Sequence, residues 1–286
     1  MSRSRFAPIA LLSSLALLVG GAAADPAVGL TRTAQVNAAR STLPAPTTSH
    51  HYIANVGSAT RAVKRLGYTV IDVGAVGEEI RNLPAHTQGL VWLGQDCPTR
   101  ANRAFKRVIR RFAHSPKVFG YYLADEPHKS GCRAGPAALA TRADYIRKQS
   151  GGVQQSFIVL DDSYHAFRPW ITHVTMVGID PYPCSTGSHG CDFTEINDDL
   201  GTALNAGIPR RTVVPTYQAF GQENTSSHYY NLPTRDQMRA MLHRWARLVP
   251  HPPMDYTYGW GHQDSANPTL RDSTGLKRLF SRYFAG

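Results

Sequence analysis

The sequence predicts an α/β fold, a (β/α)8 TIM barrel forming a single domain over residues 50–286. Three observations carry this: short β-rich runs recur at regular spacing, helix-like stretches fall between them, and the series counts to eight. A doubly wound open sheet would usually carry a Gly-rich phosphate turn after its first strand, and "ANVGSAT" lacks that spacing.

The first four runs are "HYIANVG" (51–57), "YTVIDVG" (68–74), "GLVWLG" (89–94) and "VFGYYLADE" (118–126). The last four are "QSFIVLDD" (155–162), "VTMVGIDPYP" (174–183), "TVVPTYQAFG" (212–221) and "DYTYGWGH" (255–262). Helices are expected over 58–66, 100–112, 136–149, 194–206 and 234–248, with shorter connections in second and fifth place.

Ahead of the barrel, residues 1–24 have a basic start (Arg3, Arg5), an apolar run and small residues at Ala22–Ala24. This is the layout of a secretory signal peptide, too short to span a bilayer. Residues 25–49 are rich in Pro, Thr, Ser and Ala and read as a leader or linker. The mature protein is therefore expected to be extracellular, free of the membrane, and a monomer. Export gives meaning to Cys97, Cys132, Cys184 and Cys191, because disulfides persist outside the cell. The local choice among the three connectivities is Cys97–Cys132 with Cys184–Cys191. Tight Cys/His spacings are absent, so no metal is expected, and nothing calls for an organic cofactor.

The formal net charge is +11, and losing Arg3 and Arg5 with the signal peptide leaves +9. Such a charge favours an anionic partner. The arginines, however, are spread along helical segments such as "RAFKRVIRRF", and no nucleic-acid motif accompanies them. No G-x-S-x-G elbow supports an esterase.

Barrels place their chemistry at the carboxyl ends of their strands. Strand alternation sets Gly120, Tyr122, Ala124 and Glu126 on one face of the fourth strand, with Phe119, Tyr121, Leu123 and Asp125 on the other. The first set suits the interior, so Glu126 is expected in the mouth and Asp125 beside it. On the sixth strand Asp180 and Tyr182 share a face. Two strands apart, ends lie roughly 9 Å from one another, which allows carboxyls to converge to about 5–9 Å. Gln218 on the seventh strand, and Tyr258 and Trp260 on the eighth, are expected to hold sugar hydroxyls and to floor the cleft. Asp162 reads as a helix cap. His165, His189 and the His50–His51 pair read as solvated loop residues.

"YYLADEP", then "GIDPYP", then "YQAFG" and an aromatic eighth strand together resemble the glycoside-hydrolase type of secreted bacterial (β/α)8 barrel, over about residues 50–284. In that type a Glu ending the fourth strand, often followed by Pro, is the acid/base, and the resemblance implies this role for Glu126. The large clan with two catalytic glutamates ends its seventh strand in the nucleophile. This chain has Gln218 there, with Glu223 farther out, which leaves Asp180 as the better partner and Glu223 or Asp162 behind it. Substrate-assisted barrels that cleave N-acetyl sugars also use an acid on the fourth strand with Asp and Tyr from the sixth. Asp180 and Tyr182 fit that pattern, although the longer acidic signature of the chitinase type is missing. The reading is a secreted glycoside hydrolase acting on a polysaccharide or cell-wall glycan, with Glu126 and Asp180 catalytic and Asp125, Tyr182, Gln218, Tyr258 and Trp260 binding substrate. The alternative is a barrel that binds glycan without cutting it.

Overall fold

The structure, a computed structural model, describes residues 43–94, 97–128, 131–188, 190–222, 229–262 and 267–286. The segments expected to be a signal peptide and most of a leader, together with Glu223 and His189, lie outside the described residues. Leu43–Gly286 forms one compact unit.

Eight parallel strands close in sequence order: β1 (His51–Ile53), β2 (Val70–Val73), β3 (Gln88–Trp92), β4 (Val118–Asp125), β5 (Gln155–Leu160), β6 (Met176–Ile179), β7 (Val213–Gln218) and β8 (Asp255–Tyr258). Around them run α1 (Thr60–Leu66), α2 (Gly77–Arg81), α3 (Arg103–Phe112), α4 (Gly135–Ser150), α5 (Tyr164–Phe167), α6 (Pro169–Thr172), α7 (Thr194–Asn205), α8 (Arg235–Leu248) and α9 (Thr274–Tyr283). The second and fifth connections are the short ones, and α9 follows the last strand. Among the described residues, no helix is long and apolar enough to cross a membrane.

Local sequence explains the helices. Asn102 caps α3 by accepting from Phe105 N at 2.9 Å, and Phe105, Ile109 and Phe112 bury one face. Thr234 and Gln237 form a reciprocal capping box on α8, which buries Met238, Met241, Leu242 and Trp245. The Trp245 indole donates to the Thr216 carbonyl of β7 at 3.1 Å, pinning helix to strand. Gly67 ends α1 in the left-handed region at φ 107°, where a Cβ would lie 2.6 Å from that of Phe284 on the chain following α9.

Two apolar layers result. The inner one fills the barrel with Tyr52, Leu90, Tyr122, Phe157, Met176, Val214 and Tyr256, and the outer one joins strand backs to helices. β4 departs from simple alternation. Its register skips a residue against β3 (Gly89 opposite Val118, Leu90 opposite Gly120) and again against β5 (Tyr122 opposite Phe157, Ala124 opposite Ile158). Phe119 and Tyr122 consequently point inward, while Tyr121, Leu123 and Ala124 pack outward. The alternation expected from the sequence is thus corrected at Phe119 and Ala124, and the carboxylates that follow shift with it.

Both expected disulfides form, Cys97–Cys132 and Cys184–Cys191. His51 is not a solvated loop residue. It is 4% exposed, its Nδ1 lies 2.8 Å from Asp255 Oδ2, and its ring stacks on Phe284 at 4.0 Å. At the amino-terminal floor of the barrel this pair ties β1, β8 and the C-terminal segment together.

Candidate active site at the barrel mouth

The second β4 bulge decides where the adjacent acids go. Asp125, the last residue of β4, lies over the barrel interior, where its Oδ1 accepts the Tyr122 hydroxyl at 2.5 Å. Glu126 keeps one strand-like bond, from its N–H to the Val159 carbonyl at 3.1 Å, and then turns left-handed at φ 45°. That conformation costs a non-glycine residue about 1–2 kcal/mol. Asn55 (φ 60°) after β1 and Ser163 (φ 54°) after β5 are left-handed too, so three such residues gather at the carboxyl ends of strands. Backbone strain of this kind concentrates at functional sites. Glu126 thus lines the mouth, as expected, from the side of β6, while Asp125 sits nearer the barrel interior than expected.

On the β6 side Glu126 meets Asp180. The two carboxyls lie close enough to couple, each acting on the ionisation of the other. Asp180 is buried, and burial followed by the charges of Glu126, Asp125 and Asp161 holds its pKa well above the usual carboxylate range. Glu126 is also raised, by burial first and then by Asp161 and Asp125, with the Asp180 hydrogen bond and His128 pulling the other way. One oxygen of Asp180, Oδ1, is buried with no hydrogen-bond partner.

The pair forms one wall of a cavity of about 290 Å3, lined also by Asp161, Glu195, Asp199, Ser185, Pro181 and three tyrosines, Tyr182, Tyr229 and Tyr230. Asp199 is pushed up to about 6 by burial, then by Asp198 and Asp161. Glu195 is raised by burial, then by Asp192 and Asp199. Toward the barrel axis, Asp72 on β2 is raised to about 6 by burial, although the Asn55 N–H bonded to it opposes the shift.

Tyr182 stands where the sequence placed it. Its ring meets Phe220 (4.9 Å), Tyr230 (5.6 Å) and Tyr258 (6.1 Å), so Tyr182 and Tyr258 belong to one aromatic wall beside the acids. The peptide bond following Tyr258 is cis. Gln218 and Trp260 lie elsewhere in function. Gln218 is wholly buried: its Oε1 accepts from Cys184 N at 2.9 Å, and its Nε2 donates to the carbonyls of Cys184, Asn231 and Phe220. It clamps the Cys184–Cys191 loop to the end of β7 instead of offering itself to a ligand. Trp260, 6% exposed, packs into the outer apolar layer, because β8 ends at Tyr258 and the two-residue alternation ends with it. It is not the open floor of the cleft.

Asp162 is exposed and accepts His128 Nδ1 at 3.0 Å, with Asp161 3.9 Å from the other ring nitrogen. His128, Asp161 and Asp162 are the one group among the described residues whose ligand atoms, within 4.8 Å of one another, could hold a metal ion. Asp161, Glu195, Asp199, Tyr229 and Tyr230 were not anticipated. Asp161 ends a strand as plainly as Asp162 does, and Glu195 and Asp199 lie four apart on one helix face, so both were visible as patterns. Tyr230 enters through an isolated antiparallel bridge to Ser185, for which no local signal exists.

Three solved structures of the same architecture put this mouth in context. A GH18 chitinase, ChiB, from Flavobacterium johnsoniae superposes with a TM-score of 0.55 at 11% identity, covering 82% of this chain and 92% of its own. A chitinase from Bacteroides thetaiotaomicron gives 0.54 at 11%, covering 82% and 95%. A GH128 subgroup I endo-β-1,3-glucanase from Amycolatopsis mediterranei, in complex with laminaritriose, gives 0.53 at 12%, covering 83% and 100%. No family model matches the chain, and no curated protein matches its sequence. The protein thus shares the (β/α)8 barrel of these structures, and at these identities the likeness is one of fold.

Proposed function

We propose that the protein is an exported glycoside hydrolase in which Glu126 is the general acid/base and Asp180 its hydrogen-bonded partner. The carrying observation is the Glu126–Asp180 carboxyl pair on the wall of an acid- and tyrosine-lined cavity at the carboxyl ends of the strands. A Glu126 carboxyl raised in pKa holds a proton to give to the leaving glycosidic oxygen. Once it has done so, the Asp180 O–H donates to the new Glu126 carboxylate and stabilises it. The water that attacks the anomeric carbon gives its proton to a second carboxylate, and Glu126 regains its own from solvent.

Asp180 is not the carboxylate of the opposite sugar face, because groups in hydrogen-bond contact cannot flank a bond as carboxyls about 5–9 Å apart do. Asp161, which lines the cavity and whose charge acts on Glu126 next after burial, is the group we assign to activate the water. Tyr182 and Tyr258 offer ring faces to the sugar, and Asp125, held by Tyr122, lies nearer the barrel axis. The two disulfides suit an exported enzyme.

The direct Glu126–Asp180 contact is also the feature that favours the second reading, a barrel that binds glycan without cutting it. Incubating the mature protein and Glu126→Gln with a glycan panel, with products read by mass spectrometry, separates the two. Products from the wild type alone support the enzyme. Near-wild-type cleavage by Glu126→Gln removes Glu126 from the chemistry, and intact bound glycan with both proteins makes this a binding barrel.

A further inference from the structure

Two carboxylates of the cavity have no part in the mechanism above. Glu195 and Asp199 project from α7 into the same space as Glu126, Asp161 and Asp180. Among the described residues, no lysine or arginine lines this cavity, although the whole chain carries a net charge of +11. The carboxyls of Glu126, Asp180, Glu195 and Asp199 are held up by burial and by neighbouring carboxylates, Asp161 acting on three of them. A cavity built this way repels an anionic or merely polar ligand less cheaply than it attracts a cation.

Two independent features say what kind of cation. Asp180 lines the cavity, and its Oδ1, buried, has no hydrogen-bond partner, so the side chain keeps an acceptor awaiting a donor. Beside it stand tyrosine rings, of which Tyr229 is 58% exposed, and ring faces suit both the apolar side of a sugar and an ammonium group. A bare metal ion would use the carboxylates and leave the rings idle.

We infer that the cavity selects a glycan carrying free, protonated amino groups, with Glu195, Asp199 and the unpartnered oxygen of Asp180 receiving the ammonium hydrogens. This rests on the glycosidase reading and names its substrate class. It also reverses the expectation drawn from net charge. The positive surface lies on outer helical segments, and the charge at the mouth has the opposite sign.

The test measures binding to Glu126→Gln by calorimetry, so that cleavage does not interfere, using glucosamine oligosaccharides, the same chains N-acetylated, and a neutral β-1,3-glucan. The free-amine chain is expected to bind at least tenfold more tightly than either control, and to lose that margin as salt rises. Asp199→Asn and Glu195→Gln are each expected to cost about fivefold for the free-amine chain alone, the factor that ~1 kcal/mol of ion pairing gives. Two separate variants guard against one of them folding poorly. Equal or tighter binding of the acetylated or neutral chain, or no binding of the free-amine chain, overturns the inference. Wild-type hydrolysis of the same panel is scored separately. Cleavage of acetylated or neutral chains in preference to free-amine ones sinks the inference while the catalytic reading stands. Tight free-amine binding with no cleavage of any chain sinks the catalytic reading, and the inference with it as a statement about substrate.

Discussion

Two buried aspartates sit at opposite ends of this barrel with opposite company. At the floor, Asp255 faces His51 at 2.8 Å, under the ring of Phe284. At the mouth, Asp180 faces another acid, Glu126. Burial raises both, but at the floor His51 pulls Asp255 back down, whereas at the mouth the neighbouring carboxylates push Asp180 further up. Each keeps one oxygen unpartnered, and Asp180 is the one that lines the mouth cavity described above. A carboxylate matched with a group that can carry positive charge serves closure of the fold. One matched with its own kind is costly to ionise, and keeps its proton as a donor to its neighbour.

The largest expected effect breaks the comparison at the mouth. Glu126→Gln should lower the hydrolytic rate by about 10²–10⁴-fold, the usual contribution of general acid catalysis, with the melting temperature held or raised. Next is the floor. His51→Ala leaves Asp255 buried and alone, which should cost about 3–5 kcal/mol in chemical denaturation. A loss under 1 kcal/mol would show that the pair is not a staple.

The disulfides follow. Replacing Cys97 and Cys132 by serine opens a loop of 35 residues and should cost about 3.8 kcal/mol, against about 2.4 kcal/mol for the separation of 7 between Cys184 and Cys191. The reverse order would mean that the shorter loop is held by its disulfide more than by Gln218.

The smallest effect sharpens the contrast through pH. The folded-state pKa values of Asp180 and Glu126 lie above their unfolded values, so the folded protein holds protons that the unfolded chain has released. Stability therefore falls as pH climbs from the ordinary carboxylate range through the raised values. Asp180→Asn removes much of that penalty. It should raise the melting temperature by roughly 2–4 °C at pH 8, the shift that ~1 kcal/mol gives at this size, and by little at pH 4. Equal shifts at both pH values would show that ionisation is not the source.

The closed ring of strands was legible because each strand is a continuous apolar run between amphipathic stretches, and burial on both faces demands such runs. Glu126, Asp180 and Tyr182 were legible for a similar reason, since the fold fixes which strand ends meet. What stayed hidden depended on a single residue of register. Nothing in "VFGYYLADE" announces that β4 bulges twice, so Phe119 and Ala124 change faces and Asp125 comes to lie over the interior. Trp260 was misplaced because alternation was carried past the last paired residue of β8. His51 was misread because its partner lies 204 residues away, beyond any local pattern. Glu195 and Asp199 gave no distinctive signal of their own, because two acids four apart on a helix also mark an ordinary solvated face.

Gln218 has a consequence for the history and engineering of such barrels. It occupies the strand end at which, by the resemblance drawn from the sequence, the two-glutamate clan carries its nucleophile. Exchanging it for Glu would set a carboxylate against three carbonyl oxygens that now receive its amide hydrogens, and would release the loop bearing Cys184 from β7. A single codon change would thus deliver the familiar nucleophile and dismantle its mounting at once. Any lineage or designer crossing between the two arrangements has to rebuild the loop first and change the side chain afterwards.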